Sequence, residues 1–145
     1  MQKLFYAHTS PLPPPLTHAH LWAGLQRKMR SPQDFVPAIT ACTVERDDAG
    51  RGIVTREVSL AGRVVREECR TYGRSWVEFV RGDGSVVRNV ISGGEGEGQV
   101  YLTFEFEVEG EGEEEMRKLK EMARMAVEKT IETVGVMVRD GRIVA

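Results

Sequence analysis

The sequence predicts one α+β domain spanning residues 1–145, in which a curved antiparallel sheet of six to seven strands wraps a long C-terminal helix. Two observations carry that prediction. Residues 113–138 set Met116, Leu119, Met122, Ala123, Ala126, Thr130, Val134 and Val138 along one helical stripe. Between residues 39 and 108 the apolar period is instead two, broken by turn signals at regular intervals. At about 1.5 Å per residue the helix is roughly 40 Å long. A flat small sheet cannot bury so long a stripe, whereas a bent one gripping it can.

The elements follow in order. Residues 2–9 (QKLFYAHT) are rich in aromatic and β-friendly types and read as a first strand, which the proline run beginning at Pro11 ends. Thr17 is a candidate N-cap for a helix over residues 18–30, with Leu21, Trp22, Leu25 and Met29 at helical spacing. Ser31-Pro32 restarts a second short helix carrying Phe35 and Val36, which stops before Pro37. The strands then run ITACTVER, GIVTREVSL, RVVREECRTY, SWVEFV, SVVRNVIS and VYLTFEFEV. Arg81-Gly82-Asp83-Gly84 is the clearest hairpin turn. In the last strand Val100, Leu102, Phe104, Phe106 and Val108 share one face, opposite Tyr101, Thr103, Glu105 and Glu107. Glu113, Glu114 and Glu115 open the long helix, where the macrodipole favours them, and Arg139 and Gly141 mark its finish.

Composition excludes several classes. With 20 basic and 22 acidic residues and a net charge of -2, the chain lacks the basic stripe that a nucleic-acid surface or an acidic membrane would require. No apolar run approaches the ~20 residues of a membrane span. The N-terminus MQKLFYAHTS has no signal-peptide pattern, so the expected compartment is the cytosol. Cys42 and Cys69 form no CxxC pair and read as two reduced, buried thiols. No metal or cofactor signature is present: there is no P-loop, no GxGxxG after a strand, no GxSxG, no HExxH and no Cys–His nucleophile pattern. His18 and His20 stand two apart, so a helix turns their rings to different faces and they make no metal site. His18 shares a face with Trp22 and Leu25, at a cavity mouth or on the surface as a cap.

Segments from residue 16 to 138 extend the argument. LWAGLQRKMRSPQDFVPAITACTV, TREVSL, VREE, VRNVIS and YLTFEFE, in that order, resemble the AtaL-like family of the START/Bet v 1-like (SRPBCC) helix-grip superfamily. That family is mostly fungal, with some members linked to secondary-metabolite gene clusters. The resemblance implies a cavity between sheet and long helix, closed by the two short helices. It also implies a small hydrophobic ligand, since wider relatives bind sterols, lipids or phenolics and some act as polyketide cyclases. The family's signature Arg, Glu and Asn fall at Arg56, Glu67 and Asn89.

The residues give their own reading of those positions. Val54, Arg56, Val58 and Leu60 share a strand face, as do Val65, Glu67 and Cys69, and Asn89 stands between Val87 and Ile91. If these faces are concave, Arg56 and Glu67 meet inside, because a buried guanidinium needs a carboxylate or a ligand oxygen. Three readings remain open. Arg56 and Glu67 form a catalytic pair, the first stabilising an enolate and the second moving a proton if burial raises its pKa. Alternatively they are an internal network that pins register, or they face water. Trp22, Asn89, Trp76, Phe79, Phe104 and Phe106 are the candidate ligand-binding residues, and Met116, Met122, Met125 and Met137 suit an adaptable wall.

Three functional classes follow. One is a binder of a polyketide-like metabolite, acting as a monomer or homodimer. Another is a cofactor-independent enzyme, such as a cyclase, an isomerase, or an aldol- or Dieckmann-type catalyst or lyase. The third is a non-catalytic interaction module with a filled core.

Overall fold

The computed structural model describes residues 2–144. Seven strands form one antiparallel sheet: β1 (Lys3–Pro11), β2 (Ile39–Asp48), β3 (Ile53–Leu60), β4 (Arg63–Tyr72), β5 (Trp76–Arg81), β6 (Val86–Gly93) and β7 (Val100–Glu109). Their spatial order is β1-β7-β6-β5-β4-β3-β2. Strands adjacent in sequence therefore pair as hairpins, and only the β1–β7 pairing is long-range. The curved sheet grips α2 (Gly112–Arg139), which packs chiefly against β1 and β7. The helix α1 (His18–Arg30) crosses the remaining opening, touching α2, β3 and β6. Among the described residues no helix is long and apolar enough to cross a membrane.

Local chemistry explains the boundaries. Thr17 caps α1 as expected: its hydroxyl accepts from the His20 N–H at 3.2 Å. The His20 ring returns the favour, Nδ1 accepting from the Thr17 N–H at 3.1 Å, so histidine fills the place of Glu or Gln in a capping box. His18 is a surface contact, its Nε2 lying 2.7 Å from the Arg74 carbonyl oxygen. The first strand runs two residues further than expected, because Pro11 ends an edge strand where a missing N–H is tolerated. The second short helix is a single 3-10 turn, Pro32–Asp34. Pro37 lies too close downstream, and the restriction on the residue before a proline leaves room for one turn only. Between β3 and β4, Ala61 and Gly62 take φ of +50° and +79°, the left-handed pair of a two-residue hairpin.

One close approach fixes how the two helices meet. Gly24 is buried on α1, and a Cβ there would run into Val134 Cγ2 of α2. Gly24→Val is therefore expected to destabilise the protein by about 2–3 kcal/mol through overpacking. A urea unfolding midpoint equal to wild type would show that α1 and α2 do not meet there.

The α2 stripe is buried at Leu119, Ala123, Val127, Thr130, Val134 and Met137. Met122 and Met125, expected as adaptable wall or core residues, are 45% and 56% exposed and line the wall of an open space. They face a gap that the single 3-10 turn is too short to cover, and that gap opens onto the interior.

Candidate functional site

Strand alternation turns Arg56 and Glu67 inward, where they stand directly opposite each other in the β3–β4 register. Both residues are almost wholly buried, at 3% exposure each. Arg56 Nε and Nη2 donate to Glu67 Oε1 at 3.0 and 2.7 Å. Arg56 Nη1 donates to the carbonyl oxygens of Lys28 and Met29, both at 2.8 Å. Those carbonyls belong to the last turn of α1, where acceptors lack intrahelical donors and the helix dipole is negative. Arg56 thus ties β3 to β4 and caps α1 from below. Arg81, the end residue of β5, donates Nε to Glu67 Oε2 at 2.8 Å, so both carboxylate oxygens are held.

This network decides the protonation of Glu67. Burial pushes its pKa up, but the Arg56 charge, the hydrogen bonds from Arg81 and Arg56, and the Arg81 charge outweigh burial. The carboxyl is held below the usual carboxylate value, the reverse of what a proton-moving Glu67 requires. Arg56, with four of its N–H groups already bonded, has little left to offer an enolate. The pair reads better as a frame for the site than as its reacting groups.

A different residue faces the open space. Lys28, on α1, is 7% exposed, and its Nζ donates to Asn89 Oδ1 at 2.9 Å. The same nitrogen lies over the Phe104 ring, 4.2 Å from its centroid. Desolvation lowers its pKa to about 7, the Arg56 charge adds to that, and Glu67 and Cys69 oppose it weakly. Asn89 has no exposure at all, and its Nδ2 has no hydrogen-bond partner among the described residues.

These groups end a cavity of about 160 Å³ whose walls include Phe79, Phe104, Phe106 and Val108. That is room for one aromatic ring (an apolar cavity of about 150 Å³ accepts benzene), with a second fused ring reaching toward the adjoining open space. Lys28, Val36, Met122 and Ala126 also border a vestibule of about 630 Å³ between the 3-10 turn and α2. Through these shared walls the cavity and the vestibule adjoin.

The structure brings Arg56, Glu67, Asn89, Phe79, Phe104 and Phe106 to this one cavity. Two other expected ligand-binding residues lie elsewhere. Trp76 is 38% exposed and stacks on Tyr72 at 5.6 Å, on the outer face of the sheet. It stands three residues before Phe79 on one strand, so the two cannot share a face. Trp22 is half-buried at the margin of the core, about 9 Å along α1 from Lys28, and takes no part in the wall. Lys28 and Arg81 were not anticipated. The signal for Lys28 was present, because Leu21, Leu25 and Lys28 stand at i, i+4 and i+7 on the buried stripe.

Both cysteines are free; Cys69 is buried and Cys42 half-buried. Burial pushes the Cys69 thiol up to about 12 against the pull of Arg56, so it is not a nucleophile. β3 separates the two, with Cys42 opposite Val58 and Cys69 opposite Val54.

The sequence model of the family described as acetylaranotin biosynthesis cluster protein L, AtaL, matches residues 6–141. The chain belongs to the AtaL family. Among solved structures it is similar to the Zhui aromatase/cyclase from Streptomyces sp. R1128, with a TM-score of 0.69 at 13% identity over 99% of this chain and 100% of that one. It is similar to the di-domain ARO/CYC StfQ from the steffimycin biosynthetic pathway, with a TM-score of 0.71 at 8% identity, over 97% of this chain and 52% of that one. Ara h 8.0201 matches with a TM-score of 0.58 at 13% identity, over 92% of this chain and 98% of that one. At these identities the likeness establishes the helix-grip fold that this AtaL family member shares with them. No curated protein sequence matches the chain.

Proposed function

We propose that this protein binds a small hydrophobic metabolite of polyketide-like class, with the molecule's rings among Phe79, Phe104 and Phe106 and an oxygen at Asn89. The observation that carries this reading is the Asn89 Nδ2, wholly buried and without a partner among the described residues, on a residue that borders a mainly apolar cavity. An unsatisfied buried donor costs about 1–3 kcal/mol, a cost removed when a ligand oxygen accepts from it. An apolar pocket with a few convergent polar groups is the usual form of a small-molecule site. The family's link to a biosynthetic cluster and the fold shared with polyketide aromatase/cyclases support the ligand class. A non-catalytic module with a filled core would not need this cavity.

Naphthol is a suitable probe, since it carries one oxygen on an apolar frame and cannot react with an amine. Ala126 borders both cavity and vestibule, so Ala126→Phe narrows the passage between them. The variant is expected to bind naphthol at least about tenfold more weakly, a loss of about 1.4 kcal/mol. Trp76→Ala, on the outer face, is expected to bind as wild type does. Equal affinities for wild type and Ala126→Phe in calorimetric titration would place the ligand outside the cavity.

A further inference from the structure

We propose that Lys28 captures an aldehyde or ketone carbonyl of the cavity's ligand as a covalent imine. The inference rests on the cavity reading above and adds the functional group that the ligand presents.

Geometry carries it. Lys28 borders both the vestibule and the cavity, whereas Arg56 and Glu67 do not border the vestibule, so a molecule entering that way meets the amine first. Among the described residues Glu67, the carboxylate nearest the polar cluster, is bonded through both oxygens to arginines, and Lys28 Nζ donates only to the neutral amide of Asn89. The Phe104 ring covers one side of the nitrogen and the cavity lies beyond it. A buried amine without a counter-ion sheds its proton readily, and burial brings Lys28 down to about 7. At neutral pH a large fraction therefore carries a free lone pair, the condition for attack on a carbonyl carbon. Lys3, Lys118 and Lys120 are exposed and Lys129 is half-buried, so the chain holds four comparison amines of its own.

The step balances without a cofactor. The Lys28 lone pair forms a C–N bond as the carbonyl π pair moves to oxygen. A proton passes from nitrogen to that oxygen, giving a carbinolamine. The hydroxyl then takes the second nitrogen proton and leaves as water, and the C=N bond forms. The unpartnered Asn89 Nδ2 is placed to donate to the oxygen as its charge develops, and the vestibule lets the water out.

The test uses the full chain at pH 7.5 with naphthaldehyde and cyanoborohydride, which reduces an imine to a stable secondary amine. Intact mass and peptide mapping then locate the adduct. Modification of Lys28 at least about tenfold faster than of any other lysine is expected, from its larger free-amine fraction. Lys28→Met should lose that adduct. Labelling spread evenly over the five lysines, or confined to the exposed ones, overturns the inference. If naphthol binds wild type while Lys28 goes unlabelled, the cavity reading stands and the imine alone fails. If naphthol does not bind either, both fail.

Discussion

Glu67→Gln is expected to destabilise the protein by about 3–5 kcal/mol, the cost of leaving a buried charge without its partner. Arg56 would keep its guanidinium at 3% exposure, and Arg81 would lose its only carboxylate contact among the described residues. The damage spreads to α1, whose last carbonyls Arg56 holds. Replacing both members, Arg56→Met with Glu67→Leu, is expected to cost much less than the sum of the single changes. A double-mutant cycle in urea reads the difference as a coupling energy. Additive losses would mean that the two residues do not act as a pair.

The pH dependence has a definite sign. Glu67 titrates lower in the folded protein than its ordinary value of 4.5. Below that value the unfolded chain binds more protons, so the Glu67 contribution is present above about pH 4.5 and is lost as pH falls through the folded pKa. A wild-type acid-unfolding curve that Glu67→Gln leaves unshifted would contradict this.

Lys28→Met should act in the opposite direction. Wild-type Lys28 is lowered from 10.5 to about 7 on folding, so between those values the unfolded chain binds more protons and wild-type stability rises with pH. Below pH 7 the amine is charged in both states, and the folded protein bears the full cost of burying it. The groups facing it are Arg56 on β3 and Glu67 and Cys69 on β4, with Lys118, Glu121 and Lys129 of α2 around the vestibule. Methionine removes the charge but leaves both ends of the Asn89 amide unpaired. The variant is therefore expected to be more stable than wild type by about 1–3 kcal/mol at pH 6. That advantage is expected to be clearly smaller at pH 9 and to lose its charge component only above about pH 10.5, where the unfolded chain also sheds the proton. Equal stability differences at both pH values, measured by denaturant unfolding, would show that Lys28 keeps an ordinary pKa. A residue that lowers stability while facing a cavity is more simply retained for binding than for folding.

The sheet and the long helix were legible because period-two and helical patterns are local and strong. VYLTFEFEV alternates without a break, and β7 buries Leu102, Phe104 and Phe106 as that alternation requires. The same alternation sets Arg56, Glu67 and Asn89 on apolar strand faces but leaves open whether those faces are concave; only the curved sheet shows all three buried. The state of those groups does not follow from alternation either, since it depends on residues that converge only in three dimensions. Arg81 reads as part of a turn in sequence, yet its guanidinium reaches back to Glu67 and reverses the pKa shift that burial alone would give. Lys28 is hard to read because a lysine in an amphipathic helix ordinarily belongs to the wet face, although its i+7 spacing from Leu21 puts it on the buried one. Trp76 is the opposite case: an aromatic on a strand suggests a pocket wall, but its parity with Phe79 forbids one. The vestibule could not be read from sequence, because it exists where a 3-10 turn falls short of a helix.

A crystal structure of the protein with bound naphthol tests the binding cavity most directly. The expected complex has the rings among Phe79, Phe104 and Phe106 and the hydroxyl oxygen within hydrogen-bond distance of Asn89 Nδ2. Naphthol bound on the outer face, or seated in the vestibule with its oxygen turned to solvent and the Asn89 amide still unpartnered, would contradict it.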